Sequence, residues 1–169
     1  HLTVEENLQV SAAVKRGPGE VRDPYAFIYR HFPILANLKK RLGGYLSGGE
    51  RQMLALSAAL LCKPKLLLVD ELSLGLAPII VDELMRLVKI IRDEQQVTVL
   101  LVEQNALAAL GVADFGYVLE NGRVVFAGDA ERLMNHQDVQ EFYLGRGERE
   151  ARRSYRDVKQ YRRTRRWYG

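Results

Sequence analysis

Residues 46–52 (LSGGERQ) predict the start of a helix with two glycines in its first turn. Ser47 and Glu50 form a capping box, in which each side chain bonds the backbone N–H of the other. Gly48 and Gly49 are poor helix formers that cost about 1 kcal/mol each relative to alanine, so a purely structural cap would not need them. Glycines here let an anion approach bare N–H groups at the positive end of the helix dipole. The alternative is a glycine-rich loop that simply precedes a helix.

A second informative stretch is residues 66–71 (LLLVDE). Its four apolar residues predict a strand that is buried on both faces of a parallel sheet. Asp70 and Glu71 then lie at the carboxyl edge of that strand, where ligands bind in open α/β sheets. A carboxylate at this edge can hold Mg²⁺, and its neighbour can act as a general base on an attacking water. The alternative is a solvated acidic turn after a strand.

A helix and another buried strand follow this acid pair. Helical spacing of apolar residues predicts a helix over 78–93, and residues 97–102 (VTVLLV) predict the second strand. Together with the first strand they make one β-α-β unit. Gln104 comes directly after the second strand, where its amide can bond a phosphate or an attacking water. It can equally be an ordinary polar residue at a strand end.

The rest of the chain has simpler signals. The first 45 residues look all-helical, with helices expected near 3–14, 24–31 and 34–41. Asn121-Gly122 marks a tight hairpin between two short strands. Short helices are expected over 130–135 and 137–144.

Composition indicates one globular domain of the ordinary soluble class. The chain has 169 residues, of which 47% are apolar and 27% are charged. A single cysteine excludes a disulfide framework within the chain and a multi-cysteine zinc site. No uncharged stretch approaches the roughly 20 residues of a membrane span, and no secretory signal begins the chain.

The net charge of +4 is unevenly distributed. Residues 146–169 hold ten of the basic and three of the acidic groups, so the remainder of the chain is slightly acidic. Arginines and aromatic residues alternate in this basic tail. It is expected either to be a solvated, partly disordered extension or to contact an anionic membrane surface or nucleic acid.

Taken together and in this order, these stretches resemble the nucleotide-binding subunit of an ABC transporter. Residues 46–50 are similar to the signature motif, and residues 66–70 to the Walker B strand, with Glu71 as the catalytic glutamate. Residues 73–76 match the D-loop, and Gln104 stands where most members carry the switch histidine. The resemblance implies an α/β fold: a P-loop NTPase-like ATPase core, with a partial parallel sheet flanked by helices and an N-terminal helical subdomain.

Within the family, residues 103–105 (EQN) and 73–78 (SLGLAP) are similar to the ATPase subunits of branched-chain amino acid importers. The resemblance implies an ATPase subunit that couples ATP hydrolysis to uptake of branched-chain amino acids or similar solutes. Its implied partners are a second ABC ATPase subunit, transmembrane permease subunits and, indirectly, a solute-binding protein. Nucleic acid is not an expected partner. The implied location is cytoplasmic, peripheral on the inner face of the cell membrane.

The same resemblance implies ATP and Mg²⁺ as cofactors and assigns the site residues. Two subunits of this family pair head to tail, so that each ATP lies between one P-loop and the signature motif of the partner. Four residues at the start of the helix then bind the γ-phosphate of ATP held by another chain: Ser47, Gly48, Gly49 and Glu50. Asp70 is the Mg²⁺ ligand, whereas Glu71 and Gln104 are catalytic for the ATP held by their own chain.

Some family features are missing from the sequence. No G-x-x-x-x-G-K-[ST] motif occurs, so the phosphate-binding P-loop is absent from these residues. The chain begins with His1 rather than methionine, and we expect it to be the C-terminal fragment of a longer protein. Leu72 replaces the proline that most relatives have after the catalytic glutamate.

The expected organisation has three parts. Residues 1–45 form the helical subdomain that contacts the membrane subunits, residues 46–145 form the signature helix, Walker B and the C-terminal part of the ATPase core, and residues 146–169 form the basic tail. Two alternatives remain open. One is a non-catalytic or truncated chain that donates its signature motif to a partner, and the other is a soluble ABC protein that acts on nucleic acid or ribosomes.

Overall fold

The computed structural model describes residues 1–14 and 24–143, and the chain divides into two compact units between Val102 and Glu103. The first unit contains five α-helices, one 3₁₀ helix over Gly43–Tyr45 and two strands in its described residues. These elements are α1 (Val4–Ala13), α2 (Ala26–His31), α3 (Pro33–Asn37), α4 (Gly48–Leu61), β1 (Leu66–Asp70), α5 (Pro78–Gln95) and β2 (Thr98–Val102).

Helices α1 to α4 form the helical part of the first unit. Helix α1 begins at a capping box made by Thr3 and Glu6, and it packs against α4. Helix α3 also packs against α4, and the buried side chains include Leu8, Phe32 and Leu35. The helix expected over 34–41 is shorter than predicted, since α3 ends at Asn37.

The β-α-β unit predicted from the sequence is present. Strands β1 and β2 pair in parallel, with Leu66 opposite Thr98 and Asp70 opposite Val102. Helix α5 connects them, and its apolar stripe is buried along the helix through Leu84, Leu87, Val88 and Ile91. The α/β fold class is therefore confirmed.

The expectation that β1 is buried on both faces is wrong for the described residues. Leu67 is 6% exposed, whereas Leu66 and Leu68 on the other face are 52% and 67% exposed. Leu100 of β2, opposite Leu68, is exposed as well. A strand is buried on both faces only when each face of the sheet is covered by another layer. The described part of this unit covers one face of the pair.

The second unit contains α6 (Ala106–Leu110), β3 (Phe115–Glu120), β4 (Arg123–Asp129), α7 (Ala130–Asn135) and α8 (Gln137–Phe142). Strands β3 and β4 form the predicted antiparallel hairpin. Its two turn residues, Asn121 and Gly122, have φ of 49° and 72°, which suits the right-handed twist of the strands. The core of the unit includes four buried side chains: Leu110, Ala130, Leu133 and Val139.

Two expectations about organisation stay predictions. The compact units divide at residue 102, and the proposed boundary at residue 45 has no counterpart in that division. The basic tail at 146–169 lies outside the described residues. Among the helices of residues 1–14 and 24–143, none is long and apolar enough to cross a bilayer.

Candidate functional site

The start of α4 has the predicted capping box. Ser47 is the N-cap residue, and its Oγ accepts a hydrogen bond from the Glu50 N–H at 3.3 Å. The Glu50 carboxylate accepts from the Ser47 N–H at 2.7 Å. Because Gly48 and Gly49 precede the first residue that can donate within the helix, their N–H groups have no intrahelical acceptor. These two N–H groups therefore lie at the positive end of a 14-residue helix, where Gly48 is half-buried and Gly49 is buried.

The two glycines also have a packing role that the sequence does not show. A Cβ on Gly48 would lie 2.9 Å from Leu76 Cδ2, and a Cβ on Gly49 would lie 2.8 Å from Ile80 Cγ2. Both separations are shorter than carbon atoms tolerate. The glycines therefore also serve packing, because a side chain at position 49 would meet Ile80, and one at position 48 would displace the flexible end of Leu76.

Hydrogen bonding changes the acidity of Glu50. The backbone N–H of Ser47 donates to its carboxylate and lowers its pKa, because this bond favours the charged form. Glu6, in the capping box of α1, has a lowered pKa for the same reason. A carboxylate whose pKa is lower in the folded than in the unfolded chain stabilises the fold above its unfolded pKa. That contribution is lost as the pH falls through the folded pKa.

We expect Glu50→Gln to weaken the dependence of stability on acid pH. Glutamine keeps an acceptor for the Ser47 N–H but carries no charge, so its contribution does not titrate. Urea unfolding of the chain between about pH 7 and pH 3 measures the effect, because this range spans the ordinary glutamate pKa. The stability difference between the wild type and Glu50→Gln should shrink as the pH falls. Glu83→Gln removes an exposed carboxylate outside the capping box and is the control; the same shrinkage there would contradict this explanation.

The acid pair lies at the carboxyl end of β1. Asp70 is the last residue of the strand, and its side chain is exposed. The Glu71 N–H donates to the carbonyl oxygen of Val102 at 2.8 Å, which extends the pairing with β2 by one bond. Glu71 has φ of 47°, a left-handed conformation that is uncommon for a residue other than glycine. Such conformations cost of order 1 kcal/mol or more and occur often at functional sites.

Leu72 is compatible with this backbone. A proline at position 72 would restrict Glu71 to extended conformations, whereas the φ of Glu71 lies outside that range. The Leu72 side chain is fully buried and contributes to the core. The replacement of proline by leucine therefore agrees with the geometry found at Glu71.

Gln104 belongs to the second unit, where it is exposed, and its carbonyl oxygen accepts from the Ala106 N–H at 3.0 Å. The next residue, Asn105, is the N-cap of α6, since its side chain accepts from the Ala108 N–H at 3.1 Å. Sequence reasoning missed α6, although Asn before an alanine-rich segment is a helix-start signal. The catalytic role of Gln104 stays a prediction.

Asp70 is the predicted magnesium ligand, and its surroundings can be compared with what the ion requires. Within residues 1–14 and 24–143, no group of three His, Cys, Asp or Glu side chains could hold a metal by itself. Asp70 is a single exposed carboxylate at a strand end. Mg²⁺ commonly takes one or two carboxylates and completes its shell with substrate phosphates and water. Asp70 therefore fits a shared site better than a dedicated metal cage.

The chain is similar in sequence to ATP-binding proteins of ABC transporters. Residues 1–73 match the protein-family model described as ABC transporter. The chain is 46% identical over 148 residues to the high-affinity branched-chain amino acid transport ATP-binding protein BraG of Pseudomonas aeruginosa, covering 85% of this chain and 61% of the relative. It is 42% identical to the probable branched-chain amino acid transport ATP-binding protein LivF of Archaeoglobus fulgidus, covering 86% and 61%. The chain thus spans about three fifths of the length of these curated relatives.

Solved structures agree on the fold. The chain superposes on MJ1267, an ATP-binding cassette of an ABC transporter in its ADP conformation, with a TM-score of 0.63 and 24% identity, covering 85% of this chain and 63% of that one. CbiO1 from Clostridium perfringens, part of the ABC transporter complex CbiONQ, gives a TM-score of 0.68 at 23% identity, covering 85% and 59%. The expected ABC ATPase core is therefore confirmed as the fold. Over the segments that these sequences match, the chain is similar to ATP-binding proteins of ABC transporters.

Proposed function

We propose that this chain belongs to the ATP-binding subunit of an ABC importer, which couples ATP hydrolysis to uptake of branched-chain amino acids or similar solutes. The names of the two relatives, both branched-chain amino acid transport ATP-binding proteins, support the solute class. The observation that carries the proposal is the contact between the start of α4 and the segment that follows Asp70 and Glu71. It brings the proposed phosphate-binding element next to the segment that follows the acid pair, within one compact unit.

The start of α4 acts on ATP held by another chain. Three groups at this helix start are donors suited to the γ-phosphate: the N–H groups of Gly48 and Gly49 and the hydroxyl of Ser47. The Ser47 oxygen already accepts from the Glu50 N–H. Glu50 is the fourth residue of this set, and its carboxylate holds the Ser47 backbone in place. This arrangement requires a second ABC ATPase subunit as the partner.

The acid pair acts on ATP held by its own chain. Asp70 would hold Mg²⁺ together with the ATP phosphates, and the bound ion would neutralise phosphate charge. Glu71 takes the proton of the attacking water as a general base. Gln104, in the second unit, is proposed separately to bond a phosphate oxygen or an attacking water.

The helical part of the first unit is proposed to contact the permease subunits. Tyr25 and Tyr29 are half-buried with ring centroids 6.0 Å apart, and the Lys39 ammonium lies 4.3 Å from the centroid of the Tyr29 ring. Aromatic side chains at a surface are suited to receiving a partner helix. Phe32 is 1% exposed and belongs to the core instead. A subunit bound in this way lies on the cytoplasmic face of the membrane, and a solute-binding protein participates indirectly through the permease.

Uptake measurements test the transport proposal. Deletion of the gene that contains this chain should abolish high-affinity uptake of radiolabelled leucine, isoleucine and valine in the source cells, because ATP hydrolysis no longer drives the permease. A plasmid copy should restore uptake, and a copy with Glu71→Gln should not. Uptake of glutamate, whose side chain is charged, is the control and should not change. Unchanged uptake of all three branched-chain amino acids in the deletion strain would contradict the proposed solute class.

A further inference from the structure

We propose that Leu76 and Ile80 are positioning residues that hold the start of α4 in register with the loop after the acid pair. The inference rests on the proposed function, since it concerns the two elements that are proposed to act on ATP. It assigns a role to two apolar side chains that touch neither ATP nor the reacting atoms.

The contacts at Gly48 and Gly49 differ in stiffness. Leu76 Cδ2 is the far end of a flexible side chain, so Leu76 can rotate away from a methyl group at position 48. Ile80 Cγ2 is attached directly to a branched Cβ, and a β-branched side chain in a helix has one strongly preferred χ1. Ile80 therefore retreats only if the backbone of α5 moves. We call the packing of Gly48 against Leu76 and of Gly49 against Ile80 the interlock. The contact between Gly49 and Ile80 is its stiff part.

The loop between the acid pair and α5 transmits this stiffness. Two turn bonds overlap along it, since the Leu74 N–H donates to the Glu71 carbonyl oxygen at 3.1 Å and the Leu76 N–H to that of Ser73 at 3.2 Å. At the start of α5 the Ile80 N–H donates to the Ala77 carbonyl oxygen at 2.9 Å. Just beyond Ile80, Val81 and Leu84 of α5 are buried in the core. A displacement of α5 at Ile80 is therefore passed to the backbone at Glu71.

This geometry connects two parts of the chain that are proposed to act on different ATP molecules. The start of α4 is proposed to bind ATP of another chain, and Glu71 is proposed to act on ATP of its own chain. Because the interlock sets the distance between them, both can be correctly placed in one closed pair of subunits. A misplacement of about 1 Å at such a site can cost about a hundredfold in rate.

Adding a methyl group at position 49 and shortening the side chain at position 80 tests the inference. In the protein that contains this chain, Gly49→Ala should lower kcat/KM for ATP about tenfold, mainly by raising KM, because the displaced start of α4 closes less well on ATP. Ile80→Ala removes Cγ2, so Gly49→Ala/Ile80→Ala should recover kcat/KM to within about threefold of the wild type. Ile80→Val keeps Cγ2, so Gly49→Ala/Ile80→Val is the matched control and should not recover.

Three results would overturn the inference. The first is equal recovery with Ile80→Val and Ile80→Ala, and the second is no recovery with Ile80→Ala in a folded protein. The third is a fall in kcat/KM that disappears once rates are divided by the folded fraction of each variant, which indicates fewer folded molecules rather than misplaced groups. All variants are assayed well below their unfolding temperatures.

The test separates this inference from the proposed function. A wild-type protein without ATP hydrolysis would contradict the proposed function directly. Urea unfolding of the same protein would then examine the packing of Gly49 against Ile80 alone. Gly49→Ala should lower the unfolding midpoint in the wild type and in Ile80→Val, but much less in Ile80→Ala, which lacks the clashing methyl group. A loss that is the same in Ile80→Val and Ile80→Ala would overturn the interlock itself.

Discussion

Replacing Glu71 with glutamine in the protein that contains this chain is expected to abolish ATP turnover while ATP binding remains. A glutamine side chain has the size of glutamate but cannot take a proton from water. Loss of a general base typically lowers a rate by 10²–10⁴-fold. Because the two side chains have the same size, the fold should be retained.

Steady-state hydrolysis and equilibrium binding of ATP, measured on the same preparation, check this result. Glu83→Gln is the control, because it makes the same chemical change at an exposed position of α5 outside the proposed site. Hydrolysis should continue in that control. Unchanged hydrolysis in Glu71→Gln would refute the assignment of Glu71 as the base.

Ser47→Arg is expected to block the ATP-driven pairing of two subunits. An arginine side chain fills the space where the γ-phosphate of the other chain is proposed to lie, and it also removes the N-cap, which costs about 1 kcal/mol. Sedimentation of the protein with and without ATP measures pairing. ATP should produce dimers in the wild type and leave Ser47→Arg monomeric.

Two further substitutions separate the lost cap from the blocked phosphate. Aspartate caps a helix as well as serine does, yet its charge opposes a phosphate, and like charges brought together cost several kcal/mol. Ser47→Asp should therefore fold normally and still fail to pair. Ser47→Thr keeps both the cap and the hydroxyl and should pair. Normal ATP-dependent dimers in both Ser47→Arg and Ser47→Asp would rule out a composite site at α4.

The sequence predicted those features of the site that depend on nearby residues. The capping box of Ser47 and Glu50 requires only a spacing of three residues, and the structure has both of its hydrogen bonds. The hairpin turn at Asn121-Gly122 is similarly local, because these residue types accept positive φ. Short-range chemistry determines both features, so they can be predicted without knowledge of the surrounding fold.

Features that depend on distant neighbours could not be predicted in the same way. Nothing in the residues 46–52 indicates that Leu76 and Ile80 pack against the glycines, since the contact exists only after α4 and α5 are assembled. The burial of β1 was overestimated because an apolar strand does not reveal which layers cover it. The positive φ of Glu71 was also not foreseen, since glutamate has no intrinsic preference for that conformation.

The two sheets differ in how much of the chain must be ordered before their strands can meet. Two residues join β3 to β4, whereas Leu66 of β1 pairs with Thr98 of β2 across the whole of α5. Closing the longer loop costs more chain entropy, and pairings between residues distant in sequence slow folding. A hairpin forms within about 1–10 μs. We therefore expect the hairpin in the second unit to form faster than the strand pairing that positions the acid pair.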